Sequence, residues 1–373
     1  MKKKTILIGT VHMEVGGIEK TLLGLLKRID YSKYDVDLFL LKTNGDFFDK
    51  IPSEVNVITP SKLGLLKRIS NSSNILCKCI KHTLFNAKTS KYWVPKKEYD
   101  VAISYSGYYP FIDNIIAYSN AKYKYIWVHT DLQFLYNNDI NYQKKFNKFK
   151  NRYDKFDKIV CVSESVKSSF IKLLPQYKSK MEVIWNTIDI TKTNTNSTIL
   201  KGDKKIISVG RLCDQKRFDR LIEIQKKLKD NGFNTIVYLI GDGENRELLE
   251  NMIKENSLED KFIMLGKQID VIGLIKQCDL FVSTSDYEGW PTVLLETLIC
   301  GVPFVGPDVT GVSDIAKFLA PKNSCIITDN NTNSIYNGVV EALNGKISKN
   351  FNFDVEKYND ECIIKFYNLI NNK

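Results

Sequence analysis

Two carboxylates bracket the start of an apolar helix in DYEGWPTVLLETLICGVPFVG, residues 286–306. Glu288 precedes Pro291, with Gly289 and Trp290 between them, and Glu296 follows it. A proline costs nothing in the first turn of a helix, because the amide it lacks would have no partner there. With Pro291 as the first helical residue, the amides of Thr292 and Val293 point out of the helix end and form an anion site. Glu296 lies about 7.5 Å further along the axis at 1.5 Å per residue, and its side chain leans back toward that end. A carboxylate repels a phosphate but accepts hydrogen bonds from neutral hydroxyls beside it, such as the pair on a ribose. Glu288, on the loop at the other side of the anion, is placed for a sugar attached to that phosphate. An acid favoured by the helix macrodipole would account for Glu288 alone; it leaves Glu296 unexplained.

Other strand-end loops supply complementary groups. In VGRLCDQKR (209–217), Arg211 and Lys216 follow Gly210 on one loop, a fork of donors and a point charge able to close on a diphosphate. IGDGE (240–244) places Gly241 and Gly243 between a strand and a helix, and HMEVGGIE (12–19) places Gly16 and Gly17 likewise. Such glycines allow close backbone approach to a phosphate or sugar. A plain tight turn explains each of them equally well, and the G-x-G-x-x-G spacing of dinucleotide folds is absent. His129, beside Asp131, ends the run YKYIWV, where an imidazole can meet a ligand or simply serve structure. Backbone around Gly266, with Lys267 and Gln268, is placed to read a nucleobase, uracil or guanine.

The elements that must position these groups follow from hydrophobic periodicity. Residues 1–188 alternate the runs TILIGTV, VDLFLLK, VNVITP, DVAISYS, YKYIWVH and KIVCVS with helical stretches; residues 189–354 repeat the pattern with KIISVG, TIVYLIGDG, KFIMLG, DLFVSTS, PFVGPD and SCIITD. Short β-branched runs joined by amphipathic helices predict an α/β chain of two doubly wound, Rossmann-like parallel-sheet domains, with ligands at the carboxyl ends of the strands. The Thr- and Asn-rich stretch 187–205 is the expected linker. A final helix over 355–373 carries Val355, Tyr358, Cys362, Phe366 and Leu369 on one side, and it is expected to pack back on the first domain.

Charge divides the chain unequally. Of the net +11, residues 1–190 hold 31 Lys and Arg against 18 acids, whereas residues 191–373 hold 23 against 25. Segment 61–97 has nine basic residues, no acid and interleaved Leu, Ile, Phe and Trp, a composition suited to an anionic membrane surface or simply to solvent. No recognised nucleic-acid module accompanies it, so a nucleic-acid partner is not expected. No long apolar run predicts a membrane span, and the brief apolar stretch near the amino terminus reads as a strand, not a signal peptide; a cytoplasmic protein, peripheral on the inner face of the cell membrane, is expected. The eight cysteines are scattered and no metal-ligand spacing appears, so neither a structural metal nor a cofactor is expected. Asp35-Val36-Asp37 opens a strand at its amino end, away from where ligands gather, and is read as a strand edge.

Together, Gly16-Gly17-Ile18-Glu19, His129, the G-R-x4-K of 210–216, the G-D-G of 241–243 and the Glu288-x7-Glu296 pair in EGWPTVLLE resemble the retaining family 4 glycosyltransferases of the GT-B fold. The resemblance is strongest over about 205–315. It departs after PFVGPD, where Thr310-Gly311-Val312-Ser313-Asp314 stands in place of a Gly-Gly-x-x-Glu. It implies a GT-B fold, with a cleft between an acceptor-binding first domain and a donor-binding second one. It further implies transfer from a nucleotide diphosphate sugar, UDP-sugar favoured, with retention of configuration and no D-x-D-bound metal. Arg211, Lys216 and the Thr292 and Val293 amides would stabilise the departing diphosphate, Glu296 would hold the ribose, Glu288 the donor sugar, and His129 would lie near the reacting sugar. A lipid-linked or other saccharide acceptor, in capsule- or O-antigen-like polysaccharide assembly, suits the basic first half. A nucleotide-sugar epimerase and a basic nucleic-acid binder are the alternatives.

Overall fold

The β-branched runs form two sheets in which every strand pairing is parallel. The structure, a computed structural model, describes residues 2–14, 16–43, 45–59, 89–107, 109–189, 199–268 and 270–372. Residues 61–88 of the basic segment 61–97 therefore lie outside the described residues. The chain divides into two units, Met1–Asp189 with Lys357–Lys373, and Ile190–Glu356.

In the first unit the strands are β1 (Lys4–Thr10), β2 (Tyr34–Leu40), β3 (Asn56–Ile58), β4 (Tyr99–Ser104), β5 (Ala121–Val128), β6 (Lys158–Cys161) and β7 (Met181–Val183), ordered β3-β2-β1-β4-β5-β6-β7. Ile6, Leu7 and Ile8 of β1 are wholly buried, as helices on both faces of a parallel sheet require. β7 has no counterpart among the runs read from sequence: at three residues beside a basic stretch it carries almost no periodicity. In the second unit β8 (Lys204–Val209), β9 (Thr235–Ile240), β10 (Phe262–Gly266), β11 (Leu280–Val282), β12 (Phe304–Pro307) and β13 (Cys325–Thr328) are ordered β10-β9-β8-β11-β12-β13. Both sheets therefore reverse direction beside their first strand, between β1 and β4 and between β8 and β11. A doubly wound sheet opens a crevice at such a switch point, at the carboxyl ends of the strands.

The final helix, Val355–Ile370, is built into the first unit. Its buried face carries Tyr358, Cys362, Phe366 and Ile370; Leu369, expected on that face, is only partly covered. The Tyr367 ring stacks on Tyr34 at 5.1 Å, and Phe366 meets Trp127 of β5 at 6.4 Å. Asn359 donates to the carbonyl of Ile188 at 3.1 Å and accepts from its amide at 2.9 Å, while Tyr358 donates to the Asn186 carbonyl. These contacts narrow the linker expected over 187–205. Thr187 and Ile188 are buried in the first unit, and Lys204 already begins β8. Asp37 is also structural: buried midway along β2, it accepts from Tyr99 Oη at 2.7 Å and Asn56 Nδ2 at 2.9 Å.

Because Phe366 is 1% exposed against β5, Phe366→Ala should cost about 3–5 kcal/mol of unfolding free energy in urea titration. A loss below about 1 kcal/mol would show that the helix adds little to that core.

Candidate functional site

At the switch point of the second sheet, the loops after β8 and β11 bring a lysine against a glutamate. Lys216 Nζ lies 2.5 Å from Glu288 Oε1, with the side chains 18% and 9% exposed. Ser285 Oγ donates to the same carboxylate oxygen at 2.8 Å. Charge-assisted bonds of this length in a site withdrawn from water are strong, and removing one partner strands the other's charge. A small cavity beside the pair is lined by Lys216, Ser283, Glu288, Pro291 and Val293, so it joins both loops to a helix start.

Local sequence explains why the lysine arrives there. A Cβ at Gly210 would stand 3.1 Å from Lys216 Cε, so the absent side chain lets the lysine stem cross the end of β8. Gly241 adopts φ +140°, and a Cβ there would meet the Gly210 carbonyl oxygen at 1.8 Å; glycine is needed to pack one strand end on the next. A Cβ at Gly243 would come within 2.4 Å of the Leu212 carbonyl oxygen. The Leu212 amide donates to the Asp242 carbonyl and its own carbonyl accepts from Asn245, which anchors the backbone beside the exposed Arg211.

The EGWP turn is held from behind. Thr310 Oγ1 donates to the Glu288 carbonyl at 2.6 Å. Gly311 takes φ +76°, where a Cβ would press on the Gly289 carbonyl oxygen at 2.5 Å. Thr310-Gly311, the departure noted in the sequence, thus buttresses the turn. Trp290 is buried at 5% exposure. The helix runs Thr292–Ile299, so Pro291 is its cap and not its first residue. With ψ 95° Pro291 stays extended while its carbonyl accepts from the Leu294 amide. Thr292 and Val293 remain the first-turn residues, whose amides lack an intrahelical acceptor. Glu296 lies on this helix at 4% exposure. Lys267 is exposed, and Gln268 Nε2 donates back to the Leu265 carbonyl at 2.7 Å.

In the first unit, the Gly16-Gly17 turn opens the helix Gly17–Leu26, and its end is occupied by the chain's own acid. A Cβ at Gly16 would fall 2.3 Å from Glu19 Oε2, and Glu19 Oε1 lies 3.4 Å from His12 Nδ1. Burial pushes the Glu19 carboxyl upward. His129 follows β5, and its Nε2 meets the Tyr105 carbonyl at 2.8 Å. That carbonyl requires a proton on Nε2, which leaves Nδ1 an acceptor in the neutral ring. Nδ1 is buried without a hydrogen-bond partner among the described residues, as is the Ser106 hydroxyl on the loop after β4. Asp131 is structural: it caps the helix Leu132–Asn138 by accepting from the Phe134 amide.

Sequence reasoning singled out Lys216, Glu288 and their glycines, but it set the two charges on separate parts of a ligand. Ser285 and Thr310 were missed as supports of Glu288; the cluster of small hydroxyl residues ending DLFVSTS was the available signal. Among the described residues no group of three or more His, Cys, Asp or Glu side chains is arranged to hold a metal ion, and no helix is long and apolar enough to cross a membrane.

Comparison with known proteins converges on one chemistry. Residues 189–358 match the family profile described as glycosyl transferases group 1, and residues 15–192 match that of glycosyltransferase family 4. An uncharacterised glycosyltransferase of Haemophilus influenzae is 24% identical over 336 residues, 88% of this chain and 87% of that one. The N-acetylgalactosamine-N,N'-diacetylbacillosaminyl-diphospho-undecaprenol 4-alpha-N-acetylgalactosaminyltransferase of Campylobacter jejuni is 28% identical over 54% of this chain and 56% of its own length. Among solved structures, a variant of Staphylococcus aureus TarM in complex with UDP superposes with a TM-score of 0.73 over the whole of both chains at 16% identity, a likeness of fold.

Burial holds the His129 imidazole down to about 4 from its ordinary 6.5. The unfolded chain takes up that proton first, so stability present at neutral pH should fall as pH drops from about 6.5 toward 4. In an NMR titration the His129 ring should stay neutral down to about pH 5; a midpoint near 6.5 would show the ring to be solvated.

Proposed function

The chain belongs to the family 4 glycosyltransferases of the GT-B fold, and from that membership we propose that it moves a sugar from a UDP-sugar to a lipid-linked saccharide, with retention of configuration and without a metal, in assembly of a surface polysaccharide. The observation that carries the reading is the Lys216–Glu288 pair at the switch point of the second sheet. It offers a cation for a diphosphate and a carboxylate for sugar hydroxyls within one small cavity.

In this mechanism the acceptor hydroxyl attacks the anomeric carbon from the face that the diphosphate leaves. The bond between that carbon and the phosphate oxygen breaks, its electrons stay on the diphosphate, and the acceptor proton passes to the same leaving oxygen. Lys216 and Arg211 neutralise the charge as it develops, with the Thr292 and Val293 amides adding dipoles. Such preorganised stabilisation is commonly the largest catalytic contribution. Glu288 orients the donor sugar through its hydroxyls and Glu296 accepts from the ribose. His129, neutral at physiological pH, offers Nδ1 as an acceptor to a sugar hydroxyl.

UDP is favoured because TarM binds it on the same fold. A lipid diphosphate acceptor is favoured because the Campylobacter relative is named for a diphospho-undecaprenol substrate. The basic first half suits contact with the anionic inner face of the cell membrane. The matched families are transferases, which favours transfer over epimerisation.

The test is release of UDP from a panel of UDP-sugars in the presence of undecaprenyl-diphosphate-linked saccharides. Transfer to one of them is expected, and release from none would contradict the reading. Lys216→Ala should lower kcat by about 100-fold or more. Glu288→Gln should separate binding from turnover. Losing the carboxylate frees Lys216 and removes a charge that repels the diphosphate, so calorimetry should show UDP bound about fivefold tighter, roughly 1 kcal/mol, while transfer falls. Weaker UDP binding by Glu288→Gln would show that the carboxylate does not compete for Lys216.

A further inference from the structure

One residue beyond Lys216, the chain turns through a left-handed conformation that glycine would adopt freely, yet the residue is arginine. Arg217 has φ 48° and ψ 45°. A Cβ disfavours that region, and such residues persist only where their surroundings over-determine them. Here the surroundings are ionic. Arg217 holds Asp219 through Nη2 at 2.9 Å and reaches Asp286 through Nη1 at 3.3 Å. Arg220 Nη2 meets the other oxygen of Asp286 at 2.9 Å, and its Nη1 donates to Asn330 Oδ1 at 2.6 Å.

Asp286 is also where the two active loops are joined by backbone. Its amide donates to the Gln215 carbonyl at 2.9 Å, and Gln215 Nε2 returns a bond to the Tyr287 carbonyl at 2.9 Å. Thr284 Oγ1 donates to the Lys216 carbonyl at 2.7 Å. Every one of these links falls within four residues of Lys216 or Glu288, and none uses their charged groups. Isolated ion pairs as exposed as these, with Asp286 at 22% and Arg217 at 33%, contribute little to global stability. Their effect is instead local, on the register of one loop against the other.

We propose that Asp286, with Arg217 and Arg220, forms a positioning cluster that fixes Lys216 against Glu288. Arg217 accepts a disfavoured backbone because its guanidinium completes the bridge to Asp286. The cluster acts through Lys216 and Glu288 and does not touch substrate; its bearing on catalysis rests on the proposed donor role of that pair.

Arg217→Gly separates the side chain from the strain, since glycine keeps the left-handed turn and loses the guanidinium. Asp286→Asn keeps the shape and loses the charge. Hydrogen–deuterium exchange of the full-length protein, read on peptides spanning 211–218 and 283–290, should be at least tenfold faster in both variants, while the thermal midpoint of Arg217→Gly stays equal or rises. With a competent donor and acceptor, kcat should fall at least tenfold with donor KM within about threefold. Exchange within twofold of wild type in both variants would overturn the positioning cluster. Faster exchange with unchanged kcat would overturn its catalytic role. A wild-type protein that transfers no sugar would overturn the proposed function instead, and exchange would still decide whether the cluster holds the two loops.

Discussion

The pairing of Lys216 with Glu288 is the contact around which the second unit is arranged. A lysine and a glutamate 2.5 Å apart and largely withdrawn from water must either satisfy each other or be satisfied by something that replaces one of them. A diphosphate sugar can do both, since its phosphate answers the ammonium and its hydroxyls answer the carboxylate. The protein holds its two charges against each other, and under the proposed function the donor would exchange one neutralised arrangement for another without leaving either charge bare.

That contact constrains much that surrounds it. Gly210 leaves room for the lysine stem to cross the end of β8, Gly241 is required so that one strand end can pack on the Gly210 carbonyl, and Gly311 is required so that the loop after β12 can press on the turn holding Glu288. Thr310 and Ser285 fix the glutamate at its backbone and its carboxylate. The parallel sheet supplies the geometry beneath: loops after β8 and β11 face each other because the strand order reverses between them. The first unit shows the same sheet logic, with the final helix closing its core through Phe366 and Tyr367.

Much of this was legible in the sequence, for identifiable reasons. Twelve strands announced themselves as short apolar, largely β-branched runs; β7 did not, because three residues are too few for a period to show. Glu288, Glu296, Lys216 and the glycines stood out because their spacing has chemical meaning even before folding. Their mutual geometry did not. Lys216 and Glu288 are separated by 72 positions, and periodicity within an element says nothing of which loops meet. Pro291 fell one position outside the helix because a proline is compatible with both cap and first turn. Arg217 left no signal except the absence of a glycine, and the apparent linker hid Thr187 and Ile188, whose polar neighbours gave no hint of their burial.

The measurement that bears most directly on this account is a crystal structure of the protein soaked with UDP. Lys216 Nζ should leave Glu288 and lie within hydrogen-bonding distance of a phosphate oxygen, with the diphosphate at the start of the helix Thr292–Ile299. UDP bound elsewhere, with the Lys216–Glu288 contact intact at 2.5 Å, would contradict it.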